Sequence, residues 1–126
     1  MTNQINFTFQ DSDWTPPTRF PDLRNEPEVA IDLETKDPDI KVKGPGWPTM
    51  NGNVIGVSVA TNNFKGYYPV AHEAGGNMDI RMVLNWVQDI CRSKAIKLFH
   101  NAAYDIGWLR AHGVVVYGKI ADTMIA

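Results

Sequence analysis

The sequence predicts an α/β domain built on a mixed sheet with flanking helices, and three observations carry that reading. An apolar, partly β-branched run from Val29 to Leu33 is followed by two more such runs, with Asn62-Asn63 as a turn signal between them. A helical stripe comes next, made by Ile80, Val83, Leu84, Val87, Ile90 and Cys91. Short strand-like and helix-like segments then alternate towards the end, the pattern of strands joined by crossover helices.

Taken in order, residues 1–28 read as an extended lead-in. Thr15-Pro16-Pro17, Pro21 and Pro27 block a continuous helix. Trp14, Phe20 and Leu23 are apolar, so this arm is expected to pack on the domain that follows. Strand one covers 29–33. Residues 36–53 are rich in Pro, Gly, Asp and Lys and read as a long loop, whose Gly44-Pro45-Gly46-Trp47-Pro48 centre suits no regular element. Strands two (54–60) and three (64–70) complete an antiparallel meander. Asp79 is suited to cap a helix reaching about Arg92. Strand four spans 96–100 and a second helix 102–111, ended by His112-Gly113. Val114-Val115-Val116 reads as a fifth strand, and 122–126 as the start of a further element. The order is β-β-β-α-β-α-β, with right-handed crossovers expected.

A chain of 126 residues fits one domain. Its net charge of −2 argues against broad electrostatic binding of nucleic acid, yet leaves room for a nuclease whose acidic site is neutralised by metal. The lone Cys91 excludes an intramolecular disulfide, gives no zinc cluster and points to a reducing compartment. No apolar run approaches the ~20 residues that span a bilayer. The polar start shows no signal peptide.

Chemistry concentrates in Val29-Ala30-Ile31-Asp32-Leu33-Glu34-Thr35. Residues two apart on a strand share a face, so Asp32 and Glu34 project side by side. Two carboxylates held that close repel each other unless a cation lies between them, and hard oxygen ligands select Mg²⁺ or Mn²⁺. A further acid, Asp105, falls near the start of the helix after strand four. If strand four pairs beside strand one, Asp105 comes to the strand-one acids, and Asp32, Glu34 and Asp105 could share metal ions. Two such ions about 4 Å apart can activate a water and stabilise a leaving oxygen in phosphodiester cleavage.

Ile31-Asp32-Leu33-Glu34-Thr35 resembles the first motif of DEDD-type 3′→5′ exonucleases, and His100-Asn101-Ala102-Ala103-Tyr104-Asp105-Ile106-Gly107-Trp108-Leu109 resembles the second. The chain is most similar to the proofreading domain of family A DNA polymerases, particularly of bacteriophages and related bacterial enzymes. Trp14-Thr15-Pro16-Pro17, Phe20-Pro21-Asp22-Leu23, the Gly44 to Pro48 loop and Asp122-Thr123-Met124 extend the resemblance over nearly the whole chain. It implies a ribonuclease H-like fold, two Mg²⁺ or Mn²⁺ ions held by Asp32, Glu34 and Asp105, and removal of nucleotides from a single-stranded or frayed DNA 3′ end. It further implies that Thr35 lies near the terminal nucleotide, that Asn101 helps position it and that Tyr104 is close by. Cytoplasmic location, in a bacterial or phage-infected cell, follows from the same resemblance.

The family's third motif supplies a fourth carboxylate and a Tyr or His that orients the attacking water. The sequence contains no such motif, and Asp122 matches a structural position. The chain therefore reads as the N-terminal part of an exonuclease domain, with a polymerase domain expected downstream. Self-association through apolar surface at its end is a further expectation. Two rival readings remain: a non-catalytic nucleic-acid-binding module, and an RNA exonuclease resembling ribonuclease D. Plainer roles compete residue by residue. Asn101 could simply cap a helix, Asp37 and Asp39 read as turn residues, and His72 and His112 read as solvent-facing loop residues. His100 could reach substrate or satisfy a backbone group. Trp86 and Trp108 read as packing residues, and Trp47 as a local anchor or a DNA contact. Lys36, Lys41 and Lys43 read as a solvated loop able to steer a phosphate backbone.

Overall fold

The computed structural model describes residues 19–124. Among them lie five strands, β1 (Glu28–Lys36), β2 (Asn53–Ala60), β3 (Lys65–Pro69), β4 (Ile96–Phe99) and β5 (Ile120–Asp122), in the order β3-β2-β1-β4-β5. β1, β2 and β3 form the antiparallel meander, while β4 runs parallel to β1 and β5 parallel to β4. This is the expected mixed α/β architecture, compatible with a ribonuclease H-like fold. The helices are α1 (Ile40–Lys43), α2 (Ile80–Arg92) and α3 (Ala102–Ala111).

Period-2 patterning sorts the sheet into two faces. Val29 and Ile31 on β1, Val57 and Val59 on β2 and Phe99 on β4 are buried, and they join Val83 and Val87 of α2 in one core. The opposite face carries Ala30, Asp32 and Ser58, which are more open to solvent. α2 starts as its sequence indicates: the Asp79 side chain accepts from the Arg81 amide at 2.8 Å. The described part of the lead-in lies against this core. Phe20 stacks on Tyr68 with ring centroids 5.4 Å apart, and the Trp86 indole donates to the Pro21 carbonyl at 2.8 Å. Trp14 and Thr15-Pro16-Pro17 lie outside the described residues.

Three local expectations are corrected. Residues 114–116 are not a strand: the Gln88 side chain from α2 accepts from the Val115 amide and donates to its carbonyl, so side-chain bonds replace a ladder. The fifth strand is instead 120–122, so Asp122 ends an element rather than opening one. The 36–53 loop is not wholly irregular, because α1 and a 3-10 turn at Trp47–Thr49 form within it. Both are single turns, too short to show in hydrophobic periodicity.

One buried cation went unnoticed in the sequence. Lys97 on β4 is fully buried, and its ammonium donates to the Tyr117 carbonyl at 2.8 Å and to the Ser93 carbonyl at the end of α2. It ties that helix end to the segment entering β5.

Candidate functional site

β4 pairs with β1 only from Glu28 to Ala30, and its last residue is Phe99. Beyond that point no strand among the described residues pairs with this edge of β1, and α3 brings Tyr104 to Thr35 beside it. The condition set by the sequence, that strand four pairs beside strand one, is met, and α3 then brings Asp105 to Asp32. Asp105 lies in the first turn of α3 and is 4% exposed. Its carboxyl is pushed up to about 7, first by burial, then by the charges of Asp32 and Asp122, while the Leu33 amide pulls the other way. The Asp32 carboxyl is also raised, again by burial first, with the His100 charge and the Leu33 amide opposing. The Asp32 charge thus acts on Asp105, and the Leu33 amide opposes the rise of both carboxyls.

Glu34 shares a face with Asp32 but is engaged on the opposite side. Tyr67 on β3 donates to its Oε2 at 3.3 Å, and His72 Nε2 lies 3.7 Å from the same oxygen. Tyr67 and His72 are also hydrogen-bonded to each other. The reach from β3 across β2 to β1 depends on Gly56, which pairs with Glu34. A Cβ there would lie 1.8 Å from the Tyr67 hydroxyl oxygen. Gly56→Ala is therefore expected to expel the Tyr67 ring, detach Glu34 and cost about 1–3 kcal/mol through overpacking. Urea unfolding measures the cost, and loss of the Tyr67–Glu34 contact is checked by NMR of the Tyr67 ring.

Thr35 and Tyr104 are brought together, their hydroxyls 2.8 Å apart. Tyr104 donates its proton to Asp37 Oδ2 at 2.9 Å, so Thr35 is the donor to Tyr104. Asn101 precedes α3, but its side chain makes no capping hydrogen bond. The cap comes from Asp122, whose carboxylate accepts from the Ala102 and Met124 amides at 3.0 Å each. That gives Asp122 the structural role expected of it and removes capping as the explanation for Asn101. His100 is exposed, with Nδ1 3.3 Å from Thr123 Oγ1.

Two histidines are corrected. His72 is a half-buried partner of Tyr67, and His112 Nε2 accepts from the Val54 amide at 3.1 Å while its ring stacks on Trp108. Trp86 and Trp108 are buried packing residues. Trp47 is an anchor: its indole covers Gly107 of α3 so closely that a Cβ at 107 would lie 2.3 Å from it. Lys36 pairs with Glu73 at 3.2 Å across the surface. Asp37 and His72, read from sequence as a turn and a loop residue, and Tyr67, which the sequence did not single out, contact Tyr104 and Glu34. Tyr67 pairs with Ser58, and its ring reaches Glu34 by leaning diagonally over Gly56, a contact that sequence spacing does not show.

The Asp32–Asp105 pair fits a divalent cation. Two carboxyls raised above their ordinary range gain from a neutralising charge, and both offer the hard oxygens that Mg²⁺ or Mn²⁺ prefers. Among the described residues no three His, Cys, Asp or Glu side chains converge into a ready cluster, and Glu34 Oε2 accepts from Tyr67. No helix of the described residues is long and apolar enough to cross a membrane.

No protein-family model matches the chain. Over 113 residues, 86% of its length, it is 34% identical to a DNA-directed DNA polymerase of Pseudomonas phage M6. The chain is related to a segment of a DNA polymerase. That segment is 17% of the relative, so the chain spans a small part of the polymerase it matches.

Proposed function

We propose that the chain is the N-terminal part of a proofreading 3′→5′ exonuclease domain attached to a DNA polymerase. The observation that carries this reading is the buried Asp105 carboxyl within reach of the Asp32 charge. The substrate is the 3′ end of single-stranded or frayed DNA. Asp32 and Asp105, joined by Glu34, would hold Mg²⁺ or Mn²⁺, which when bound supplies Lewis acidity and offsets developing negative charge. Thr35 and Tyr104 offer hydroxyls to the terminal nucleotide, and Asn101, not spent on capping, offers an amide to the same end. The polymerase relative supports DNA over RNA as the substrate.

A second reading is favoured by one observation, the engagement of Glu34 by Tyr67 and His72. In that reading the segment binds DNA without cutting it. The two separate in one experiment: incubation of 3′- and 5′-labelled single-stranded DNA with the purified chain in Mn²⁺, with Asp32→Ala alongside. Stepwise shortening from the 3′ end that is reduced at least about 100-fold in Asp32→Ala is the expected result, as for loss of a group acting directly in the chemistry. Shortening no greater than in the variant removes the exonuclease reading for this chain and leaves the binding one.

A further inference from the structure

We infer that Asp37 is the positioning residue of this site, clamping the 44–51 loop onto α3 and aiming the Thr35 and Tyr104 hydroxyls. The inference rests on the 3′-end reading for what those hydroxyls face, and on hydrogen-bond geometry for the clamp itself. Asp37 Oδ2 accepts twice, from the Tyr104 phenol at 2.9 Å and from the Gly46 amide at 3.1 Å. One carboxylate oxygen thus ties the end of β1 to the helix that carries Asp105 and to the loop lying over it. Because Tyr104 spends its only proton on Asp37, its oxygen is left to accept from Thr35 at 2.8 Å. Asp37 therefore fixes the direction of both hydroxyls through a single bond.

The loop is shaped to meet this carboxylate. Gly46 is buried, and a Cβ there would lie 2.1 Å from the Asn51 carbonyl oxygen and 2.9 Å from Asp37 Oδ1. The turn closes with the Asn51 amide donating to the Gly46 carbonyl at 2.9 Å. Next to it, Trp47 lies flat over Gly107 of α3. Loop and helix thus meet through one apolar contact and one carboxylate. Asp37 Oδ1 is buried with no hydrogen-bond partner among the described residues. A position serving stability alone does not favour a carboxylate with one oxygen left unsatisfied.

The test uses the whole chain with Asp37→Ala and Asp37→Asn. Amide exchange at Gly46 reads the clamp. Affinity for a 5′-labelled thymidine decanucleotide in Ca²⁺, which supports binding without turnover, reads the aiming. Asp37→Ala is expected to speed Gly46 exchange and to weaken the decanucleotide by about tenfold or more each, the scale of one hydrogen bond to a charged acceptor. Core amides of β1 and β2 should keep their protection. Asp37→Asn, which retains a carbonyl acceptor without the charge, should restore both in part. Gly46 exchange within about twofold of wild type in Asp37→Ala overturns the clamp. Faster exchange with unchanged decanucleotide affinity overturns the positioning role while the 3′-end reading stands. If the wild-type chain does not bind the decanucleotide, the 3′-end reading falls and the aiming falls with it, while Gly46 exchange still decides the clamp.

Discussion

Asp105→Asn is expected to make the chain more stable at pH 8 while removing the 3′-end shortening proposed for it. In the folded chain the Asp105 carboxyl titrates at about 7 instead of 3.8, so the folded state binds its proton more tightly than the unfolded state. The sign follows from linkage: between those two values the unfolded chain carries fewer protons, and stability falls as pH rises. The stabilisation is complete below pH 4 and lost by about pH 7. Three pH units of displacement correspond to about 4 kcal/mol in total, of which about 2–3 kcal/mol falls between pH 5 and pH 8. Asparagine carries no charge to bury beside Asp32 and keeps an oxygen to face the Leu33 amide. Urea midpoints at pH 5 and pH 8 should therefore diverge in the wild type and stay nearly level in the variant, once shared titrations are subtracted. Added Mn²⁺ should raise the wild-type midpoint at pH 8 and leave that of Asp105→Asn in place. Equal pH profiles for the two proteins would contradict the burial of an ionisable carboxyl beside Asp32. The functional loss and the stability gain have one cause, because the property that suits Asp105 to a cation is unfavourable without one.

Lys97→Met should cost about 2–3 kcal/mol, although methionine matches the apolar stem of lysine. Two terms oppose each other. Burial lowers the Lys97 pKa, so methionine relieves a desolvation cost. Against that, the Ser93 and Tyr117 carbonyls both lose their Lys97 partner. Each acceptor left without a bond costs on the order of 1–3 kcal/mol, and the bonds lost are to a charged donor. The second term wins because two acceptors depend on one ammonium. The measurement is a urea midpoint with unchanged slope, together with faster amide exchange around Ser93 and Tyr117. A cost below about 0.5 kcal/mol would show that water replaces the ammonium there.

The two faces of the mixed sheet explain where a divalent cation could act and where it could not. Glu34 and Asp32 alternate onto the same side of β1, but only Asp32 is coupled to Asp105, since the Tyr67–His72 pair holds Glu34 from the β3 side. A cation joining all three acids would reach Glu34 through Oε1 or share Oε2 with the Tyr67 hydroxyl. That engagement is a physical difference between this site and a simple row of carboxylates.

The sequence by itself determined the succession of elements and the placement of Asp32, Glu34 and Asp105. Those are matters of local periodicity and capping: two residues on a strand share a face whatever surrounds them, and Asp79 starts a helix through an amide two residues away. Pairing of β4 with β1 was only a condition in the sequence reading, and the sheet order meets it. Only the tertiary structure decided the rest, because the deciding partners are far apart in sequence. Val114 to Val116 has the composition of a strand, yet Gln88 of α2 takes its backbone bonds. Trp47 lies on Gly107, His112 receives the Val54 amide, and Asp37 reads as a turn residue until Tyr104 meets it from α3. A residue's type and local spacing fix which bonds it can make. The fold fixes which of them it does make, since each buried polar group must find its partner among whatever the packing brings near.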